Sequence, residues 1–152
     1  MPLPTFVTIL RVFQRIDDPH PPLFKAAVDL LSLWRYRFSA SAEPPTPGQV
    51  QPTDYEAVLV WCVDREACDV IADSCPEPGR DAPLADRTYG DLVASLAKLY
   101  ATLEVLGREQ PGVRHDTTQS ELIACGQQLD KLTLDAQQGR VRLPPPDLDR
   151  PR

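Results

Sequence analysis

Seventeen prolines cut this chain into five uninterrupted intervals, roughly 5–18, 23–43, 53–75, 84–110 and 112–143. Proline inside a helix removes a hydrogen bond and costs about 3 kcal/mol, so a helical protein confines it to the connections. Strands avoid proline as well, and the choice between the two falls to periodicity and end signals.

The end signals favour helices. Thr53 stands three residues before Glu56, Thr88 before Asp91 and Thr118 before Glu121, each near the start of a proline-free interval. In each tetrapeptide the threonine hydroxyl can accept from the orphan amide three residues on; Glu56 and Glu121 can reach back as a capping box, and Asp91 is a shorter, weaker version of it. Gly107 and Gly139 stand where the fourth and fifth helices should stop in left-handed C-caps.

Periodicity agrees. Leu92, Leu96, Leu99, Leu103 and Leu106 recur at 4-3-4-3 spacing, and Leu122, Cys125, Leu129, Leu132 and Ala136 at 3-4-3-4. Two such seams in succession predict an antiparallel helical hairpin. Cys125 and Gly126 are the small residues expected to let its backbones approach. Phe6, Ile9, Leu10, Phe13 and Ile16 share one face of a first helix. Leu23, Ala27, Leu30, Leu31, Trp34 and Phe38 share one face of a second, with Leu33 and Tyr36 turned away beside Arg35 and Arg37.

The expected fold is therefore all-α, a small bundle of about five helices ending in that hairpin. Within one domain spanning 1–152, a helical hairpin occupies 1–40 and a proline-rich linker 41–53. An acidic three-helix unit covers 54–139 and a proline-rich tail 140–152. The alternative is an α/β fold with strands near 6–16 and 57–63, because both stretches are rich in β-branched and aromatic residues. In that fold Asp64 would stand at the carboxyl end of a strand, where such enzymes place chemistry.

The stretch VLVWCVDREACDVIADSC, residues 58–75, holds three of the four cysteines. On a helix Cys62 and Cys68 lie about 9 Å apart along the axis. Zinc needs its sulfurs at about 2.3 Å, and a disulfide needs Cα atoms within about 7 Å. No pair qualifies, so no metal is expected, and Cys62 reads as a small core residue on a stripe with Val58, Leu59, Val63, Ala67, Val70 and Ile71. Asp69 and Asp73, one turn apart, read as a solvated face. His20 and His115 sit in separate connections. Phosphate-binding loops, nucleophile elbows and zinc-protease signatures are all absent, and neither catalytic residues nor cofactors are expected.

Charge narrows the partners. Residues 1–40 carry five basic and three acidic residues, whereas 54–91 carry three basic and ten acidic. Phosphate backbones are bound by cations, so direct nucleic-acid binding is not expected. No apolar run approaches the roughly 20 residues of a membrane span. Arg11 and Arg15 interrupt the N-terminal apolar stretch where a signal peptide would be uniform, and a cytoplasmic protein with reduced thiols is expected. Trp34, Arg35, Tyr36 and Arg37 are candidate protein-interface residues, since Trp, Tyr and Arg dominate hot spots. In the tail, Leu143 and Leu148 flank three prolines and could anchor an extended segment in a partner's groove. The function expected is a non-catalytic adaptor or accessory subunit of a larger cytosolic assembly, with other protein subunits as partners and a homo-oligomer left open. The competing readings are an acidic regulator of a basic protein surface and a small enzyme built on Asp64.

Overall fold

A computed structural model describes residues 3–18, 22–39, 52–74, 77–108 and 112–146. They form five helices, α1 (Phe6–Phe13), α2 (Pro22–Ser39), α3 (Pro52–Ser74), α4 (Tyr89–Arg108) and α5 (Val113–Gln137). Among the described residues no strand occurs beyond one isolated parallel bridge, Leu84 to Arg142. The α/β alternative is thereby corrected: 6–13 and 57–63 are both helical. Their β-branched residues prefer strands only weakly, and burial of a helical stripe outweighs that preference.

One core takes side chains from all five helices. Its centre is α4, which packs against α2, α3 and α5. Tyr89, Leu92, Val93, Leu96, Ala97 and Ala101 are all nearly inaccessible, so α4 is buried on most of its circumference. Gly90, Ala94, Ala97 and Ala101 add a stripe of small residues at 4-3-4 spacing, which lets neighbouring backbones come near. Both expected seams are present. Leu92, Leu96 and Leu106 are buried on α4, and Leu122, Cys125, Leu129, Leu132 and Ala136 on α5. The Cys125 thiol donates to the Leu92 carbonyl across them (3.7 Å). Gly126 does not serve this seam. It faces α1, and a Cβ there would clash with the carbons of the Phe6 ring.

Helix ends follow the sequence signals in part. At α4 the capping box is complete: the Asp91 N–H donates to Thr88 Oγ1 (3.0 Å), and the Thr88 N–H donates to Asp91 Oδ2 (3.3 Å). Gly139, at φ 71°, ends α5 in a Schellman motif, with its own N–H bonded to the Ala136 carbonyl and that of Arg140 to the Asp135 carbonyl. Thr118 departs from expectation. α5 begins five residues earlier, at Val113, and the Thr118 hydroxyl donates back to the Arg114 carbonyl (2.8 Å). Glu56 also departs, reaching across to Arg37 (3.1 Å). Gly107 lies inside α4 without a left-handed φ. Arg15, at φ 59°, closes α1 in the left-handed region where glycine is favoured, and this early turn leaves Ile16 exposed.

Two helices receive N-terminal caps from elsewhere in the fold. The Phe6 N–H at the start of α1 donates to Asp130 on α5 (2.8 Å). The Gly90 N–H at the start of α4 donates to Asp64 on α3 (2.6 Å). A carboxylate at a helix N-terminus satisfies an orphan donor and complements the helix dipole. The segment after α5 turns back along the bundle. Arg142 exchanges backbone hydrogen bonds with Pro83 and Ala85, Val141 and Leu143 pack on the core, and the Cys68 thiol donates to the Pro144 carbonyl (3.6 Å).

Tyr89 ties the N-terminal segment down through its hydroxyl, which donates to the Pro4 carbonyl (2.6 Å). Burial, aided by the charge of Asp130, pushes its phenol far above the ordinary value. Burial and the charges of Asp64 and Asp69 likewise push the Cys68 thiol up to about 11. Groups raised in the folded state stabilise it fully below their unfolded-state values, about 8.5 for cysteine and 10 for tyrosine. That stabilisation fades as pH rises beyond those values, because the unfolded chain ionises first. Denaturant melts should therefore show stability falling from about pH 9 upward. Tyr89→Phe should flatten the part of that loss above about pH 10 while costing about 1–2 kcal/mol at neutral pH, the Pro4 carbonyl being left unpaired.

Candidate functional site

α2 and α3 form an antiparallel hairpin whose register is marked by the Arg37–Glu56 ion pair near the linker end. Its outward side carries a shallow groove of about 230 Å³, lined by Pro22, Lys25, Ala26 and Asp29 from α2 and by Leu59, Trp61, Cys62, Arg65 and Glu66 from α3. The same outward stripes continue toward the linker by helical spacing, through Lys25, Asp29, Ser32 and Tyr36 on α2 and Arg65, Cys62, Val58 and Tyr55 on α3. Tyr36 is 65% exposed, Val58 46% and Tyr55 44%. The Arg65 guanidinium lies over Trp61, 5.4 Å from the ring centre. Within the described residues Lys25, Asp29 and Glu66 form no ion pair.

The residues proposed from sequence as an interface divide sharply. Tyr36 stands free on the outward face. Trp34 is half-buried against the core, with the Arg37 guanidinium 4.4 Å and the Lys98 ammonium 5.0 Å from its ring centre and Phe38 stacked obliquely beside it. Its Nε1 is buried without an acceptor among the described residues. Arg35 makes a bidentate pair with Glu104 on α4 (2.8 and 3.0 Å), and that partner raises its pKa. Arg37 is committed to Glu56. Leu143 packs on the chain's own core, while Leu148 lies outside the described residues. Leu33, expected to face outward, is buried.

Residues 58–74 of the cysteine stretch lie on one helix, α3, and Cys75 lies outside the described residues. Cys62 is not enclosed: it lies half-exposed in the groove wall, because the core stripe of α3 runs through Leu59, Val60, Val63 and Ala67. Cys68 is half-buried and Cys125 buried, and both thiols have raised pKa values, chiefly from desolvation. Asp64, the acid of the enzyme alternative, is 3% exposed and engaged with α4. No cluster of three or more His, Cys, Asp or Glu able to hold a metal occurs among the described residues, and none of their helices is long and apolar enough to cross a membrane.

No protein family, curated protein or solved structure matches this chain. Of the outward face, sequence reasoning does not single out Tyr55 and Trp61, and it places Val58 on the core stripe, whereas Val58 is exposed. Tyr55 and Val58 with Cys62 and Arg65 follow i, i+3, i+7, i+10 spacing, a second stripe on α3 opposite its core stripe, and that pattern was the available signal.

Proposed function

We propose that the chain is a non-catalytic helical adaptor or accessory subunit that docks into a larger cytosolic protein assembly through the outer face of the α2–α3 hairpin. One observation carries the reading. Tyr36, Tyr55 and Val58 stand exposed on a single face beside Trp61, whereas Arg35 and Arg37 are tied up in ion pairs within the bundle. Tyrosine and tryptophan offer large, stiff contact area, and they recur at the centres of interfaces.

Gentle purification from the natural host followed by native mass spectrometry should find the protein in a complex heavier than one chain. Tyr36→Glu and Tyr55→Glu should each release it from that complex and leave its melting temperature unchanged, since neither side chain is buried. A lone chain, or a complex indifferent to both substitutions, would refute this function.

A second reading rests on Asp69, Asp73, Glu77, Asp81 and Asp86, all exposed and outside the ion pairs of the described residues. They would suit a regulator that covers a basic protein surface. Such binding weakens steeply with added salt and is indifferent to Tyr36→Glu and Tyr55→Glu, whereas docking through the tyrosine face is lost with either substitution.

A further inference from the structure

We infer that the chain occupying the α2–α3 outer face is a second copy of this protein, joined about a two-fold axis parallel to the hairpin; this rests on the reading of that face as a docking surface. Charge order points to this occupant. The groove lining carries two cations and two anions, distributed so that α2 contributes Lys25 and Asp29 and α3 contributes Glu66 and Arg65. The chain as a whole has a net charge of −6, so two copies repel each other over most of their surfaces, and this neutral lining is where they can meet.

The register makes the lining self-complementary. From the Arg37–Glu56 pair, Lys25 lies 12 residues back along α2 and Glu66 lies 10 residues on along α3, so both are about 15–18 Å from the pair and nearly level. A two-fold axis parallel to the helices lays α2 of one copy over α3 of the other and keeps those levels. Lys25 then meets the partner's Glu66, Asp29 meets the partner's Arg65, and Tyr36 meets the partner's Tyr55. Each contact occurs twice, as an isologous interface requires. Four charges that stand outside ion pairs in one copy, apart from the stacking of Arg65 on Trp61, gain opposite partners in two. Aromatic side chains at the linker end supply the apolar area.

Sedimentation velocity of the full chain across a wide concentration range tests this. The unaltered protein should form a dimer. Lys25→Glu and Glu66→Lys should each weaken it by at least about tenfold, because like charges then oppose each other twice per dimer. An equimolar mixture of the two variants should recover the dimer, since in the mixed pair both contacts join opposite charges. Acetylation of the unaltered protein gives a reading free of substitutions: Lys25 should lose reactivity on association while exposed Lys131 keeps it.

A monomer at every concentration overturns the inference, as does a dimer in which the mixture behaves no better than either variant. If the chain is monomeric yet Tyr36→Glu releases a different host protein, the docking reading stands and only the second copy is wrong. A dimer indifferent to Lys25→Glu, Glu66→Lys and Tyr36→Glu overturns both.

Discussion

Gly90→Ala should destabilise the protein by about 3 kcal/mol, near the upper end of what overpacking causes. A Cβ at residue 90 would lie 2.6 Å from the Val60 carbonyl oxygen and 2.6 Å from Asp64 Oδ1. The first of these is α3 backbone, which cannot step aside without moving the helix. The second is the acceptor of the Gly90 N–H itself. Relief therefore requires α4 to move away from α3, which breaks a charge-assisted hydrogen bond and leaves a carboxylate that is 3% exposed without that donor. For a chain of this size the melting temperature should fall by roughly 6–12 °C. A melt in which Gly90→Ala matches the unaltered protein would show that the two helices do not approach as described. Asp64→Ala supplies the complementary measurement. It removes the acceptor without adding volume, so the double variant should be far less damaged than the two single losses added together.

Gly126→Val should cost about 2–3 kcal/mol and act on α1 in particular. The Phe6 ring occupies the space any side chain at 126 would need, and the start of α1 is held to α5 by the Phe6 N–H bond to Asp130. Eight residues are too few for a helix to persist unsupported. Once Phe6 is displaced, α1 itself keeps Ile9, Val12 and Phe13 buried, while Leu3 and the Tyr89–Pro4 bond hold only the residues before it. Hydrogen exchange should therefore quicken at residues 9–14 well before it quickens in α4 or α5. Uniform loss of protection across all five helices would argue against this local account. Phe6→Ala in the same background should restore much of the lost stability, because the steric conflict has then been removed at its other partner.

The candidate face was only partly legible from sequence, and the reason is physical. Helix spacing tells which residues share a side but not which sides meet another helix. Leu30 and Leu31 could be assigned to a core side without further information, because an apolar stripe must be buried somewhere. Arg35 and Arg37 could not be placed. Whether an arginine on a largely apolar helix reaches solvent depends on an acid 69 or 19 residues away in sequence, and Glu104 and Glu56 supply it. Cys62 and Val58 were assigned to the core stripe for the same reason. The α3 pattern is apolar over more than half its circumference, and only the positions of α2 and α4 decide which part is covered. The central role of α4 did have a signal in its Gly90, Ala94, Ala97, Ala101 spacing, which marks close approach on a side other than the leucine seam.

Local chemistry determined what local chemistry can. Proline marks where helices must break, the Thr88–Asp91 pair opens α4, Gly139 ends α5, and the two heptad-like seams find each other. Each of these acts within a few residues or between two neighbouring helices. The tertiary structure alone decided that Asp64 caps α4, that Asp130 caps α1, that Gly126 admits Phe6, and that Tyr36 and Tyr55 share a free face with Lys25 and Glu66. Those outcomes depend on how helices cross and at what register, and crossing is set by the shape of whole surfaces, which no single stretch of the chain encodes.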